Sequence, residues 1–224
     1  DKKIVKIQNK KKMKTLAKYS LVSTMRASIL VLGPLISKFN KSIISYPGGC
    51  NIGSRPINYH LSALKKLGMK YEIKQGYIHA KSNGKLKGTI IKFSKISVGA
   101  TENTIIAACL AKGRTQILNA AKEPEIKDLT NFLNSAGAKI KWHGRTCVIT
   151  GVTSLNETEY TVMPDRIETG TFCVAATLAK GNLEIQNSNP KDIKTELNIL
   201  KRAGAKIKVL ENKILIKGPQ VIKP

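Results

Sequence analysis

The chain alternates between stretches with helical and with strand-like hydrophobic patterns. Three stretches are mainly apolar and predict buried helices, at residues 24–39, 101–112 and 168–180. Three others have apolar residues at intervals of three or four, which predicts amphipathic helices: Leu61, Leu64 and Leu67; Leu129, Phe132 and Leu133; and Leu197, Leu200 and Ala203. Short alternating runs such as "SIISY", "RTQILN" and "NLEIQN" predict strands between the helices.

These elements repeat along the chain. "LAKG" occurs at residues 110–113 and 178–181, and "AGAKIK" at 136–141 and 203–208, so the copies are 68 and 67 residues apart. A weaker copy, "LGMKYEI", places Gly68 in line with Gly137 and Gly204, each a suitable C-cap for the amphipathic helix before it. The sequence therefore predicts an α/β fold of α-β-α-β-β units about 68 residues long.

Each unit is predicted to close with a hairpin. The turns fall at Gln75 and Gly76 in one unit and around Glu211 and Asn212 in another. Residues 1–22 are similar to the closing strands of a preceding unit. We therefore expect the chain to begin within a repeat and to be an internal fragment of a longer protein.

Composition narrows the class of protein. The 224 residues are 42% hydrophobic, enough for one large or two small domains. No apolar run approaches the ~20 residues of a membrane span, and we expect no secretory signal, because no apolar block follows the basic residues at the start. The four cysteines lack CxxC or histidine spacing, which argues against zinc and favours a reduced, cytoplasmic setting. Cys109 and Cys173 are predicted in the core and Cys147 in a strand.

The net charge of +25 allows several interpretations. It is compatible with nucleic acid, an anionic membrane surface or phosphate-bearing substrates as partners, and also with a general enrichment in lysine. The lysines are scattered, and no RNA-binding signature with interleaved aromatic residues occurs. General enrichment is the interpretation that this pattern favours.

The segment "SYPGGCNIGSRPINYH", residues 45–60, contains a cysteine outside any apolar run. Cys50 lies among glycines, five residues before Arg55, and Pro56 suits the first position of a helix. Neighbouring cations and helix-terminal N–H groups adjust a thiol pKa towards reactivity. Cys50 is therefore a candidate nucleophile or acid, and the alternative is an exposed loop thiol without a role.

Two further stretches could hold anions. Lys95, Ser97 and Gly99 directly precede an apolar helix, where N–H groups and the helix dipole favour phosphate. Thr101 and Asn103 could instead cap that helix. Arg26 starts another apolar helix and opposes its dipole, which suggests either an anionic ligand or an arginine turned towards solvent.

Other titratable residues give weaker signals. Asp165 and Glu168, like Glu123 and Glu125, are ordinary partners of a helix N-terminus. The histidines form no triad. His79 and His143 are expected in closing strands, whereas His60 is expected in a helix. His60 follows the cysteine loop and could face the same cleft as Cys50.

Five sequence motifs resemble those of a known enzyme family. "MRASILVLGP", "PGGCNIGSRP", "SVGAT", "EPEI" and "DRIETGT" occur in the order and spacing of the UDP-N-acetylglucosamine enolpyruvyl transferase (1-carboxyvinyltransferase) family, which the chain resembles from Leu21 onwards. The shikimate-pathway enolpyruvyl transferases share the repeated fold but lack the cysteine loop. The resemblance implies an inside-out α/β barrel in two domains of three units. Residues 1–163 would be the last two units of one domain together with a strand remnant, and 164–224 the first long unit of the other.

The resemblance also implies a reaction and its residues. The enolpyruvyl group of phosphoenolpyruvate would pass to the 3′-hydroxyl of UDP-N-acetylglucosamine, with release of phosphate and no metal or cofactor. Cys50 would protonate the methylene carbon and be the thiol that fosfomycin alkylates, while Arg26 and Arg55 would bind anionic groups. The nucleotide site would comprise Arg55, Pro56, Ile57, Asn58, Tyr59, Lys95, Ile96, Ser97 and Val98.

The chain departs from the family pattern in two ways. Asn58 and Tyr59 stand where the usual "RPVDLH" has Asp and Leu, which puts a charge-dependent contact at residue 58 in question. The family's N-terminal "KN" pair, its base aspartate and its C-terminal arginine are absent from these residues. We expect the isolated chain to be inactive and to need the remainder of the same polypeptide.

One alternative comes from another class of protein: a non-catalytic basic protein that reuses the fold to bind anions or nucleic acid. The retained cysteine loop favours the enzyme, because a binding protein has no need of the thiol.

Overall fold

The computed structural model describes residues 4–8, 13–48 and 56–223. The chain forms two compact units, Asp1–Tyr160 and Thr161–Pro224, each with its own hydrophobic core. The predicted domains 1–163 and 164–224 refer to a complete two-domain protein and stay a prediction.

The first unit contains two repeats. The first comprises β1 (Leu16–Ala17), α1 (Tyr19–Val22), a 3₁₀ helix (Arg26–Val31), α2 (Leu32–Phe39), β2 (Lys41–Ser45), α3 (Asn58–Lys66), β3 (Met69–Lys74) and β4 (Tyr77–Ser82). The second comprises β5 (Ile90–Lys92), α4 (Val98–Ala108), β6 (Arg114–Leu118), α5 (Pro124–Ser135), β7 (Lys139–His143) and β8 (Thr146–Thr150).

The second unit contains one repeat. It comprises α6 (Arg166–Leu178), β9 (Asn182–Gln186), a 3₁₀ helix (Pro190–Ile193), α7 (Lys194–Arg202), β10 (Lys206–Leu210) and β11 (Lys213–Lys217). The predicted order of helix, strand, helix and hairpin is therefore confirmed in all three repeats.

Each repeat has its own sheet, with strand orders β1-β2-β4-β3, β5-β6-β8-β7 and β10-β11-β9. The short strands β1 and β5 run parallel to β2 and β6, and the other pairs are antiparallel. None of these sheets closes on itself within the described residues. The expectation that residues 1–22 form closing strands of an earlier unit was wrong for the described part, where only β1 forms and joins the following sheet.

The predicted turn chemistry is confirmed. Gly68, Gly137 and Gly204 follow their helices with φ of 107°, 95° and 102°, a conformation that glycine adopts without strain. The β3–β4 turn has positive φ at both Gln75 and Gly76, as a two-residue hairpin with the sheet's natural twist requires.

Four helix starts differ from the prediction. One of them is that of α6, which begins at Arg166 and not at residue 168. Residues 24–39 divide into a 3₁₀ helix and α2, because Pro34 lacks the N–H that a continuous α-helix would need. Helix α4 begins at Val98 because Ser97 is its N-cap, so Thr101 and Asn103 lie inside it and do not cap it. Helix α3 begins at Asn58, so Pro56 is not its first residue.

The core of the first unit forms around α2, α3 and α4. Its fully buried side chains include Leu32, Ile36, Leu64, Ile105 and Ile117. Cys109 is buried in this core and Cys173 in the core of the second unit, as predicted. Cys147 lies in strand β8, as predicted, and is also buried in the core of the first unit. Among the described residues no helix is both long and apolar enough to span a membrane.

Candidate functional site

Asn103 on α4 joins three elements of the preceding repeat. Its side chain is fully buried, and its Oδ1 accepts a hydrogen bond from the N–H of Gly33, with an N–O distance of 2.8 Å. Its Nδ2 donates to the carbonyl oxygen of Ile29 at 3.1 Å and contacts Nδ1 of His60 at 3.2 Å. The amide group thereby links α4 to the 3₁₀ helix, to α2 and to α3.

These contacts fix the tautomer of His60. The N–H of Gly33 can only donate, so it requires the oxygen of the Asn103 amide, and the amide nitrogen then faces Nδ1 of His60. Since that nitrogen donates, Nδ1 must accept, and a neutral imidazole then carries its proton on Nε2. His60 as a whole is 6% exposed.

The electrostatic environment keeps His60 neutral. Burial, and secondly the positive charge of Arg26, lower the pKa of His60 from 6.5 to about 4. Arg26 lies at the start of the 3₁₀ helix, as predicted, and is half-buried. At neutral pH the site therefore contains a cationic guanidinium beside an uncharged imidazole.

The edge of the His60 ring lies against the first turn of α4. A Cβ atom added to Gly99 would stand 3.1 Å from Cε1 and 3.3 Å from Nε2 of His60, closer than packed side chains normally approach. Ser97 caps this turn, its Oγ accepting from the N–H of Ala100 at 3.4 Å. Gly99 therefore lets a helix N-terminus and a buried imidazole meet.

Tyr59 connects the two predicted nucleotide segments. Its hydroxyl lies 3.1 Å from Oγ of Ser94, and its ring packs edge-on against Phe93 with centroids 6.2 Å apart. These contacts bring residues 56–59 close to the segment that leads into residues 95–98. Their role as one nucleotide site stays a prediction.

The other predicted site residues differ in accessibility. Pro56, Asn58, Lys95 and Ile96 are exposed and Val98 is half-buried, which leaves them available to a ligand. Ile57 is 1% exposed and belongs to the core, so its side chain is not available. Cys50 and Arg55 lie outside the described residues, and the prediction that His60 faces the same cleft as Cys50 is not tested.

The sequence did not reveal the role of Asn103, Phe93 or Ser94. Asn103 was interpreted as a possible capping residue. It directly precedes the apolar run "TIIAACL", and an amide next to such a run was a signal of a buried hydrogen-bonding position. His79 and His143 lie in β4 and β7, as expected for residues without a role in the site. No group of His, Cys, Asp and Glu suited to a metal ion occurs among the described residues.

Comparison with known proteins gives consistent results. The family model described as EPSP synthase (3-phosphoshikimate 1-carboxyvinyltransferase) matches residues 1–224. A protein of Pelagibacter ubique named UDP-N-acetylglucosamine 1-carboxyvinyltransferase is 59% identical over the whole chain, which covers 54% of that relative. A protein of the same name from Shewanella amazonensis is 53% identical over 85% of the chain and 46% of its own length. The chain spans about half the length of the curated relatives it matches.

Solved structures share the fold. The enolpyruvyl transferase NikO from Streptomyces tendae aligns with 92% of the chain and 50% of its own, at a TM-score of 0.79 and 20% identity. EPSP synthase from Acinetobacter baumannii aligns with 90% of the chain and 48% of its own, at a TM-score of 0.65 and 19% identity. With a family match over its full length and this shared architecture, the chain belongs to the EPSP synthase (3-phosphoshikimate 1-carboxyvinyltransferase) family.

Proposed function

We propose that the chain is part of an enolpyruvyl transferase that moves the enolpyruvyl group of phosphoenolpyruvate to the 3′-hydroxyl of UDP-N-acetylglucosamine and releases phosphate. The observation that carries the proposal is the 59% identity, over the whole chain, to a protein named UDP-N-acetylglucosamine 1-carboxyvinyltransferase. The family description names a different acceptor, phosphoshikimate. The "PGGCNIGSRP" loop favours the nucleotide sugar, because the shikimate enzymes lack this cysteine loop.

The proposed site consists of residues from both repeats of the first unit. Cys50 is the proposed acid for the methylene carbon, and Arg26 and Arg55 bind the anionic groups. Pro56, Asn58, Tyr59, Lys95, Ile96, Ser97, Val98 and the backbone of Ile57 form the nucleotide site. The contact between Tyr59 and Ser94 supports this assignment, since it holds the two segments together. No metal or cofactor is needed for this reaction.

The biological role follows from the reaction. The enzyme would act in the cytoplasm, and its product would be used in peptidoglycan synthesis. It would thereby contribute to cell-wall formation, cell shape and cell division. The thiol of Cys50 would make the protein a target of fosfomycin. The remaining repeats would be supplied by the rest of the same polypeptide, and we propose that the isolated chain is inactive.

Mass spectrometry tests the proposal. The purified chain and the longest protein that contains it are incubated with fosfomycin, with and without UDP-N-acetylglucosamine, and phosphate release from phosphoenolpyruvate is measured in parallel. A single adduct on Cys50 that depends on the nucleotide sugar, together with turnover by the longer protein, is expected. If neither protein reacts, the enzyme proposal fails, and a basic anion- or nucleic-acid-binding protein becomes the better interpretation.

A further inference from the structure

Positive charge is distributed unevenly along the chain. The first 101 residues contain 21 lysine and arginine residues and two acidic residues, Asp1 and Glu72, whereas residues 102–224 contain 18 and 12. The first part therefore has a net charge of +19, out of +25 for the whole chain. A general enrichment in lysine does not explain why acidic residues are missing from one part. Such asymmetry is typical of proteins that bind nucleic acids or membranes.

The strand register aligns three of these lysines. In the sheet of the first repeat, Lys41 of β2 lies directly opposite Lys81 of β4, and Lys81 lies directly opposite Lys70 of β3. All three are exposed, and within the described residues none of them forms an ion pair. Directly paired residues share one face of a sheet whose strands are about 4.8 Å apart, so these residues form a row about 10 Å long. We call them the lysine row.

The fold does not require the lysine row. Like charges that lie directly opposite each other destabilise a sheet. The negative end of a helix could attract Lys41 and Lys70, which follow α2 and α3, but not Lys81, which lies near the end of β4. At the corresponding positions the other two sheets include a neutral residue, in the rows Arg114–Thr150–Lys139 and Asn182–Lys217–Lys206. An anionic partner would relieve the repulsion that is particular to the first sheet.

The charge at this end of the first unit is not explained by the proposed substrates. Lys70 follows the C-terminal end of α3, whereas Asn58 of the proposed nucleotide site lies at its N-terminal end. The nine residues of α3 make these ends about 13 Å apart. Further exposed lysines continue the charge away from the sheet: Lys85 and Lys87 follow β4, and Lys87 forms a β-bridge with Lys112.

We propose that the lysine row binds the phosphate backbone of double-stranded nucleic acid without reading its sequence. This surface and its ligand go beyond the proposed function and do not depend on it. A duplex carries one negative charge per about 1.7 Å of its axis, so a row of about 10 Å faces about six charges. Lysine ammonium groups bind such phosphates as point charges, which requires no particular base sequence.

The shape of the patch favours a duplex over a membrane. The next row on the same face of the sheet is Ile43–His79–Glu72, and it contains the one carboxylate of this sheet's described strands. A flat anionic membrane would meet this carboxylate together with the lysines, whereas a cylindrical duplex that lies along the lysine row curves away from it. The lysine row itself offers no aromatic ring on which the bases of a single strand could stack.

Fluorescence anisotropy tests the proposal on the longest protein that contains the chain, with a labelled DNA duplex of arbitrary sequence as the probe. A dissociation constant of about 10⁻⁶–10⁻⁴ M is expected at about 0.15 M salt. Combining Lys41→Gln, Lys70→Gln and Lys81→Gln should weaken binding about tenfold or more and should make the dependence of log K on log salt shallower by about 2–3. Saturating UDP-N-acetylglucosamine should not displace the duplex, because its proposed site lies at the other end of α3.

A matched control removes the same charge from another surface. Lys191, Lys194 and Lys201 of the second unit are also exposed, and replacing all three by Gln should weaken duplex binding by less than about twofold. Circular dichroism checks folding: the variant of the lysine row should unfold at the same temperature as the unsubstituted protein or at a higher one, because repulsion is removed.

Three results would overturn the proposal: no duplex binding by the unsubstituted protein at about 0.15 M salt, equal weakening by the two triple variants, or displacement of the duplex by UDP-N-acetylglucosamine. Binding to vesicles of phosphatidylcholine and phosphatidylserine that depends on the lysine row, without duplex binding, would also overturn it in favour of a membrane. Enolpyruvyl transfer should be unchanged in the variant of the lysine row. If no protein transfers an enolpyruvyl group, the proposed function fails, and the duplex measurement still decides this inference.

Discussion

Replacing Gly33 by alanine tests the packing between α2 and α4 on which the site depends. A Cβ added at Gly33 would lie 2.6 Å from the backbone oxygen of Asn103 and closer still to its Oδ1. Backbone atoms cannot give way as a flexible side chain does, so the two helices would have to separate. The hydrogen bond from the Gly33 N–H to Asn103 would then lengthen or break.

The magnitude follows from three contributions. Overpacking of a core costs about 1–3 kcal/mol, and leaving the buried Gly33 N–H and Asn103 amide unpaired costs about 1–3 kcal/mol more. The better helix propensity of alanine offsets about 1 kcal/mol. We therefore expect the free energy of unfolding of the first unit to fall by about 1–5 kcal/mol.

Urea denaturation measures this change. The chain has a single tryptophan, Trp142 in β7, so its fluorescence reports on the first unit. With a slope of about 2 kcal/mol per molar urea, the midpoint should fall by about 0.5–2.5 M.

Gly170 in α6 is the matched control, because an added Cβ would meet nothing within 4 Å. There, alanine should stabilise the second unit by about 0.5–1 kcal/mol, followed by circular dichroism. A midpoint for Gly33→Ala equal to or above that of the unsubstituted protein would refute the packing argument.

Further predictions concern His60, Asp165 and Tyr59. Because the folded pKa of His60 is lowered, the unfolded chain binds more protons between pH 6.5 and about 4, so the stability of the first unit should fall by up to about 3 kcal/mol as the pH drops through this range. Chemical denaturation at several pH values should show this slope, and His60→Gln should remove it. Asp165 accepts from the N–H groups of Ile167 and Glu168 at 2.8 and 3.1 Å, so Asp165→Ala should cost about 1 kcal/mol in thermal unfolding and Asp165→Asn much less. Tyr59→Phe removes the contact with Ser94 and should raise the Michaelis constant for UDP-N-acetylglucosamine a few-fold, by about 0.5–1.5 kcal/mol, with little change in turnover number; an unchanged constant would speak against the nucleotide segment.

Local rules in the sequence were sufficient to predict the repeats. Glycine at Gly68, Gly137 and Gly204 ends each amphipathic helix, and the helical spacing of leucines defines the buried face. These features depend on neighbours along the chain. The parallel strands β1 and β5 were missed because two or three residues are too few to show an alternating pattern, and their pairing is with residues more than twenty positions away.

The site was only partly predictable for the same reason. The motifs around residues 56–59 and 95–98 identified two segments, and the structure brings them together through the Tyr59–Ser94 contact. The position of Asn103 inside α4 depends on the cap at Ser97, one residue that decides where the helix begins. Its partners Gly33 and Ile29 lie 70 and 74 residues away, and no local pattern indicates such contacts.

The repeats provide a scaffold, and the site arises where one repeat differs from the next. The spacing of 68 residues between the "LAKG" copies places Asn103 in line with Thr171 on α6. The hydroxyl of Thr171 donates to the carbonyl oxygen of Ile167 within its own helix at 2.8 Å, and its side chain is exposed. In α6 the residue at this position therefore forms a hydrogen bond within its own helix, whereas in α4 it joins three other elements. Since the two positions correspond in the sequence repeat, the side chain at this position determines whether the helix is joined to other elements by hydrogen bonds. Substituting Asn103 should therefore lower the stability of the first unit, because its contacts with Gly33 and Ile29 would be lost, whereas substituting Thr171 should affect at most the local stability of α6.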